Sequence, residues 1–106
     1  MQNQNTNEIS SVTLIDQRIL QVQFSQDWSI DECAQLSEKL ISLTSATVTE
    51  QILGADLQCT RLDCEDAQLN LTFEEYSQSC WFECATELDS RGLIFVQQRL
   101  LPAVVG

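Results

Sequence analysis

The sequence contains no histidine, and this absence removes the side chain that most often acts as a general base or a zinc ligand. Histidine is also the usual partner of a serine or cysteine nucleophile, so most hydrolase mechanisms have no base in this chain. Glycine is scarce too. The only glycines are Gly54, Gly92 and Gly106, which excludes a glycine-rich phosphate-binding loop. We therefore expect a protein that is not an enzyme and has no catalytic residue and no cofactor.

Basic residues are few, with five Lys and Arg against sixteen Asp and Glu and a net charge of −11. Affinity for nucleic acid depends largely on neutralising phosphates with Lys and Arg. Anionic membrane surfaces attract basic segments for the same reason. Neither is expected as a partner here. An acidic surface suits a basic protein instead, or it serves only to keep the chain in solution.

Long apolar runs are absent, so the sequence predicts no transmembrane helix. The first eight residues contain no basic region and are followed by no apolar segment, unlike a secretory signal. We therefore expect a cytoplasmic protein. An odd number of cysteines in that setting indicates reduced thiols rather than a disulfide framework. The five cysteines are Cys33, Cys59, Cys64, Cys80 and Cys84.

The spacing of these cysteines does not match the C-x2-C pattern of structural zinc sites. If Cys80 and Cys84 lie in one strand, they are roughly 13 Å apart, at about 3.3 Å per residue. That separation is too large for a disulfide or a shared metal ion. Because free cysteine is among the most buried residue types, we expect the cysteines to pack in the core and to form no metal site. Redox or metal chemistry at these cysteines is the alternative.

The chain has 106 residues, of which 43% are hydrophobic, enough for one core but not for two. Residues 1–10 are almost entirely polar, so we predict a disordered tail. A single α+β domain is expected over residues 11–106.

Period-2 alternation of apolar side chains predicts six strands. An opening hairpin is expected from residues 12–15 and 19–24, and a meander from residues 47–53, 57–63, 67–73 and 79–84. The clearest alternation is in the third meander segment, which predicts one buried and one wet face. The segment over 57–63 alternates poorly, and a bulge within it would explain why.

Two capping boxes, Ser29 with Glu32 and Thr86 with Asp89, predict helices over residues 30–44 and 87–101. Gly92 in the second helix costs up to about 1 kcal/mol unless it permits close packing. The expected buried stripe of this helix consists of Leu88, Leu93, Val96 and Leu100.

The order of these segments predicts a two-layer α+β sandwich, with ββα, then a β-meander, then a C-terminal helix. The sheet is expected to be mainly antiparallel, with both helices on one face. Trp28 precedes the first capping box and is expected to hold that helix start against the sheet. Trp81 falls on the face opposite Leu71 and Phe82. It is therefore either covered by a helix or exposed beside Glu83 and available to a partner.

Acidic residues cluster at the two ends of the predicted strand over 67–73, roughly 20 Å apart at the strand rise per residue. That separation excludes a shared catalytic dyad, and neither cluster has the ligand spacing of a calcium loop. Together with Trp81 they form a candidate partner-binding surface. Its acidic and aromatic members are Asp63, Glu65 and Asp66 at one end and Glu74, Glu75 and Tyr76 at the other.

Residues 76–83 read Tyr-Ser-Gln-Ser-Cys-Trp-Phe-Glu, after a short predicted strand and before a C-terminal helix. This Tyr-Ser-x-Ser-x-Trp-x-Glu pattern resembles a small family of uncharacterised bacterial proteins of unknown function, known mainly from gammaproteobacteria. The resemblance covers residues 11–101 and implies a compact cytoplasmic α+β domain. It implies no catalytic residue, because that family has no established activity.

These features predict a small acidic cytoplasmic domain that binds or regulates another protein. One alternative is an inhibitor or immunity-like protein whose acidic face binds a basic partner such as a nuclease. A second is an enzyme or redox protein that uses cysteine or carboxylate without histidine, which requires a thiol of lowered pKa. A third is a purely structural subunit of a larger assembly.

Overall fold

A computed structural model describes residues 7–105 as a six-stranded sheet packed against two helices. The strands are β1 (Ile9–Ile15), β2 (Ile19–Phe24), β3 (Thr47–Leu53), β4 (Leu57–Cys64), β5 (Ala67–Glu74) and β6 (Ser79–Cys84). The helices are α1 (Cys33–Thr44) and α2 (Ser90–Leu100), and short 3-10 turns occupy Ile30–Glu32, Glu87–Asp89 and Leu101–Ala103. The predicted α+β architecture and its element order are confirmed. Within residues 7–105, no helix is long and apolar enough to cross a membrane.

The sheet is antiparallel throughout, in the order β1-β2-β6-β5-β4-β3. The meander from β3 to β6 pairs each strand with the next, and β6 then pairs with β2 of the opening hairpin. Helix α1 therefore carries the chain from β2 across to the far edge of the sheet. As a result, β1 and β3 are the two edges.

The core lies between the helices and one face of the sheet. Alternate strand residues point to this face, which explains the buried series Leu69, Leu71 and Phe73 in β5. Phe73 stacks on Phe24 with ring centroids 6.2 Å apart and meets the edge of Trp28 at 5.4 Å. The helices contribute to the core Cys33, Leu36 and Leu40 from α1 and Leu93, Val96 and Leu100 from α2. Trp28 thus anchors the start of the first helical segment against the sheet, as predicted.

Gly92 permits a close approach of α2 to the sheet. A Cβ atom at this position would lie 2.6 Å from the Cβ atom of Ala67 and 3.3 Å from Leu69 Cδ2. Real Cβ atoms do not approach so closely, so the low helix propensity of glycine is offset by tighter packing.

Two sequence-based expectations about individual elements differ from the structure. Leu88 is 88% exposed, because it lies in the 3-10 turn before α2 and not on the buried helical stripe. The register shift expected in β4 lies in β3 instead, between Val48 and Glu50, and β4 pairs continuously with β5. The core-facing residues of β4 include Gln58 and Thr60, which is why its alternation is unclear in sequence.

Strand β1 begins at Ile9, before the expected domain boundary at residue 11. Ile9 is fully buried at the start of β1, so a single apolar side chain extends the strand into the polar segment. The Asn7 side chain donates to the Gln26 carbonyl and accepts from the Gln26 amide, both at 2.8 Å. Residues 1–6, the remainder of the predicted tail, lie outside the described residues.

Candidate functional site: the open face of the sheet

The second face of the sheet is not covered by either helix and forms the candidate site. Strand register places one side chain from each strand in a continuous row across this open face. We call it the Trp81 row; its members, from β1 to β3, are Thr13, Gln21, Trp81, Thr72, Cys59 and Ile52. Neighbouring strands are about 4.8 Å apart, so the part from Trp81 to Ile52 spans about 14 Å. The row therefore brings together residues far apart in the sequence.

Trp81 lies in the middle of the open face and is partly exposed. Its indole N–H donates a hydrogen bond to Glu83 Oε1 at 2.8 Å, which fixes the ring beside that carboxylate. Thr72, next in the row, is buried although it faces away from the helices, and its hydroxyl donates to Cys59 Sγ at 3.6 Å. Trp81 is thus exposed beside Glu83, as one of the two sequence-based alternatives anticipated.

A second row runs parallel to the Trp81 row and carries most of the charge. We call it the charged row; it contains Ile15, Ile19, Glu83, Asn70, Arg61 and Glu50. Arg61 forms an ion pair with Glu50 at 3.4 Å and donates to Asn70 Oδ1 at 3.5 Å. These contacts hold the guanidinium within the row.

The open face is acidic. By strand register it carries the carboxylates of Glu50, Glu83, Asp63 and Glu74 and the single cation Arg61. Elsewhere, the remaining basic side chains are mostly engaged by the protein itself. Arg18 pairs with Glu87 at 3.4 Å, Lys39 donates to the Asn7 carbonyl at 3.2 Å, and Arg99 lies 4.7 Å above the Phe95 ring. The negative charge of the open face is therefore available to an external cation.

The predicted site residues separate into three groups. Trp81, Glu74 and Asp63 share the open face, whereas Glu65 and Asp66 form the β4–β5 turn at one end of the sheet. Glu65 and Asp66 have positive φ values of 50° and 68°, which corresponds to a tight hairpin turn. Tyr76 is 91% exposed at the opposite end, in the β5–β6 turn. The two acidic clusters thus lie at opposite ends of β5, as expected.

Glu75 has a structural role. Its carboxylate accepts a hydrogen bond from the Ile30 amide at 3.0 Å, at the start of the 3-10 turn that leads into α1. A helix start leaves amide groups without an intrahelical acceptor, and a carboxylate from a distant strand end satisfies one here. Glu75 is therefore less available to a partner than Tyr76.

Gln78 was not singled out in the sequence, although it links the same turn to the core. Its side chain accepts from the Trp28 amide at 2.9 Å and donates to the Trp28 carbonyl at 2.7 Å, as a neighbouring strand would. No local pattern signals this contact, because its partners are 50 residues apart. Ile52 was also missed. The poor alternation of β3, an edge strand exposed along its whole length, was the available signal.

The five cysteines are free thiols. Cys33, Cys64 and Cys80 are buried on the helix side, whereas Cys59 lies in the Trp81 row and Cys84 lines a cleft of about 540 Å³ near Arg18 and Glu87. Burial, reinforced by Glu75, raises the pKa of Cys33 to about 11. Burial also raises the pKa of Cys64, Cys80 and Cys84. Within residues 7–105, no group of three or more His, Cys, Asp or Glu side chains is arranged to hold a metal ion.

Comparison with known proteins identifies one match. Neither the curated proteins nor the solved structures include a match to this chain. A family model described as "Protein of unknown function (DUF3630)" matches residues 11–100. This match covers most of the chain and coincides closely with the extent of the resemblance noted in the sequence. The chain therefore belongs to this family of proteins of unknown function.

Proposed function

We propose that the protein is a non-enzymatic, cytoplasmic domain that binds another protein through the open face of its sheet. The observation that carries the proposal is the Trp81 row, in which a partly exposed tryptophan lies on a face that neither helix covers. Antiparallel sheets commonly expose one face to water, but that face is then polar. Here a tryptophan, a cysteine and an isoleucine occupy one row, and aromatic residues of this kind anchor protein interfaces.

The acidic surroundings of Trp81 favour a basic partner. Four carboxylates and one guanidinium lie on the open face, and that guanidinium is already paired with Glu50. Charge complementarity accelerates association and selects among partners, while a desolvated aromatic contact slows dissociation. The inhibitor-like form of the proposal, in which this face occupies the basic site of another protein, uses the same residues.

A thiol-based enzyme is the weaker candidate, because the thiolate is the reactive form of cysteine. Burial raises the pKa of Cys33, Cys64, Cys80 and Cys84, which disfavours that form at neutral pH. Thiol labelling of the native protein tests this alternative. We expect slow labelling of the partly exposed Cys59 and Cys84 and labelling of the other three only after denaturation. Rapid native labelling of a single cysteine at neutral pH would favour the enzyme.

Affinity capture from the source cells at low and high salt, followed by binding measurements with the purified partner, tests the proposed function. We expect Trp81→Ala to weaken binding about 30-fold or more, the effect of losing an interface anchor worth about 2 kcal/mol. Leu88→Ala is the matched control, because Leu88 is exposed and apolar but lies beside α2. Equal binding by wild-type protein and Trp81→Ala would contradict the proposal. Retention that does not decrease with salt would remove its electrostatic part.

A further inference from the structure

Strand β3 presents an unpaired edge of backbone. Among residues 7–105 it pairs only with β4, and its outer side faces no other strand. Gly54, directly after β3, donates its amide to the Leu57 carbonyl at 2.7 Å. Successive residues of an antiparallel strand direct their N–H and C=O groups alternately towards and away from the partner strand. Because Gly54 directs its amide towards β4, the alternate residues Leu53 and Gln51 direct their N–H and C=O groups outward. A further strand could occupy the position that these groups face.

The opposite edge of the sheet is occupied in part. The Val105 amide donates to the Ile9 carbonyl at 2.9 Å, so the segment after α2 uses an outer backbone acceptor of β1. Ile9 itself is buried. Natural sheets commonly protect an edge in this way, because an unpaired strand is a template for pairing with another chain.

Only part of β3 is suited to pairing. The register shift between Val48 and Glu50 is a β-bulge, and the Thr49 hydroxyl there donates to the Arg61 carbonyl at 3.3 Å. Bulges twist an edge away from regular pairing. Residues 50–53 continue the ladder without irregularity. They also carry exposed apolar side chains, since Ile52 is 53% exposed and Leu53 is 68% exposed.

A second copy of this chain fits this edge poorly. Antiparallel pairing over residues 50–53 would bring the Glu50 carboxylates of both copies onto the same face of one short ladder. Like charges that face each other across strands are destabilising. Each chain also carries a net charge of −11, so the approach of two copies is opposed at longer range. The same charges favour a cationic occupant.

We propose that β3 binds an extended segment of a partner protein in which apolar and basic residues alternate, and that this segment becomes a seventh strand of the sheet. The inference rests on the proposed protein-binding function and specifies how the partner is held. Main-chain hydrogen bonds to Gln51 and Leu53 supply affinity, and alternate side chains supply selectivity. Side chains of a strand alternate between faces, so the apolar residues of the added strand lie on the open face and extend the Trp81 row beyond Ile52. Its basic residues lie on the other face, where the net charge of −11 attracts them.

The probe that tests this proposal is a short synthetic peptide of alternating valine and lysine, with blocked ends. Its binding to the full chain is measured by calorimetry, alongside a copy N-methylated at alternate residues, which cannot donate those hydrogen bonds. We expect the unmodified peptide to bind, more tightly at low salt, and the N-methylated copy to bind about tenfold more weakly or not at all. No binding of the unmodified peptide, or equal binding of the two, would overturn the proposal.

Gln51→Pro removes one backbone N–H that points away from β4. The main-chain hydrogen bonds between β3 and β4 are retained, because proline is tolerated on an edge strand. Gln51→Ala is the matched control, since both variants lose the 3.4 Å contact between Gln51 Nε2 and the Thr60 hydroxyl. Peptide binding should decrease about tenfold in Gln51→Pro and stay near the wild-type value in Gln51→Ala. Should Gln51→Pro not give the circular dichroism spectrum of the folded protein, Leu53→Pro, compared with Leu53→Ala, makes the same test.

The same variants separate this inference from the proposed function. If Trp81→Ala abolishes binding of the purified partner but Gln51→Pro does not, the protein-binding function stands and strand addition is wrong. If neither variant affects the partner, the proposed function fails as well. Sedimentation of the wild-type chain alone tests whether a second copy of the chain binds the β3 edge instead. A dimer that Gln51→Pro dissociates would show that the occupant is a second copy and would overturn the proposal of a basic segment.

Discussion

The two edges of the sheet differ in what surrounds them. At the β1 edge, the Ile9 side chain is buried and the segment after α2 bonds to the Ile9 carbonyl. At the β3 edge every residue of the strand is exposed, including Val48, Ile52 and Leu53. Both strands are seven residues long and both pair with only one neighbour in the described sheet. The difference is therefore one of tertiary cover and not of strand geometry.

This comparison shows how a small domain divides its sheet between stability and recognition. Helix α2 contacts β1, β2, β5 and β6, so that part of the sheet holds the core around Leu93 and Val96. Strand β3 extends beyond the helices and contributes little buried area. Apolar residues on such an overhang add little to folding but remain available for binding.

The largest expected difference concerns the two tryptophans. Trp28→Ala should lower the free energy of unfolding by about 3 to 5 kcal/mol, because Trp28 is buried against Phe73. Trp81→Ala should lower it by only about 1 kcal/mol, since its contacts are those of a cross-strand pair on an exposed face. Urea unfolding followed by circular dichroism measures both values. Equal losses would mean that Trp81 belongs to the folding core and not to a binding surface.

The edges themselves can be compared by one substitution made at each. Ile9→Thr should cost about 2 to 3 kcal/mol, because it replaces a buried ethyl group with a hydroxyl group, which removes apolar contacts and buries a polar atom. Ile52→Thr should change the stability by less than about 0.5 kcal/mol, because Ile52 is exposed and threonine preserves β-branching. The same unfolding assay is used. A large loss at Ile52 would indicate that the β3 edge is covered in solution.

Gly92→Ala tests the packing of the covered region. The added methyl group meets Ala67 and Leu69, and overpacking of this kind costs about 1 to 3 kcal/mol. Alanine is the better helix former by about 1 kcal/mol, so a net destabilisation of up to about 2 kcal/mol is expected. Ala67→Gly in the same chain is the control, because it removes the nearest contact. If Gly92→Ala lowers the stability of the Ala67→Gly variant as much as it lowers that of the wild-type chain, the close approach of α2 to the sheet is not the cause.

A modest gain in stability is expected from substitutions in the β4–β5 turn. Glu65 and Asp66 adopt positive φ values there, which asparagine and glycine adopt at lower cost. Replacing both, by Glu65→Asn and Asp66→Gly, should stabilise the protein by about 0.5 to 1 kcal/mol, because the relief of backbone strain exceeds the entropic cost of glycine. Thermal unfolding monitors the change. If partner affinity is unaffected, this acidic turn takes no part in recognition; a substantial loss of affinity would restore the turn to the binding surface.

Local patterns predicted most of the fold correctly. The alternation of Leu69, Leu71 and Phe73 with polar residues located β5 and its buried face, because strand side chains alternate between faces wherever one face is covered. The capping residues Ser29 and Thr86 located the helix starts. These local patterns failed at three residues. Leu88 falls in a 3-10 turn, and Gln58 and Thr60 are polar residues on the core face of β4.

The candidate site was predictable only in part. Because side chains alternate between faces along a strand, the sequence of β6 alone assigned Trp81 to the face opposite Phe82. The neighbours of Trp81 in its row depend on the register of all six strands, and the contact of Glu75 with Ile30 joins residues 45 positions apart. These relations depend on how separate segments dock and not on any local sequence pattern.

The sequence by itself therefore determined the segments, the faces of the clearest strands, the α+β class and the acidic charge. Each of these follows from backbone periodicity, capping or composition, which do not depend on how distant segments pack together. Only the tertiary structure decided which strands are edges, which face stays open and what Glu75 and Gln78 bind. A crossover as long as α1 can join β2 to several positions in a sheet. The choice among them depends on which arrangement buries the most apolar surface across the whole chain.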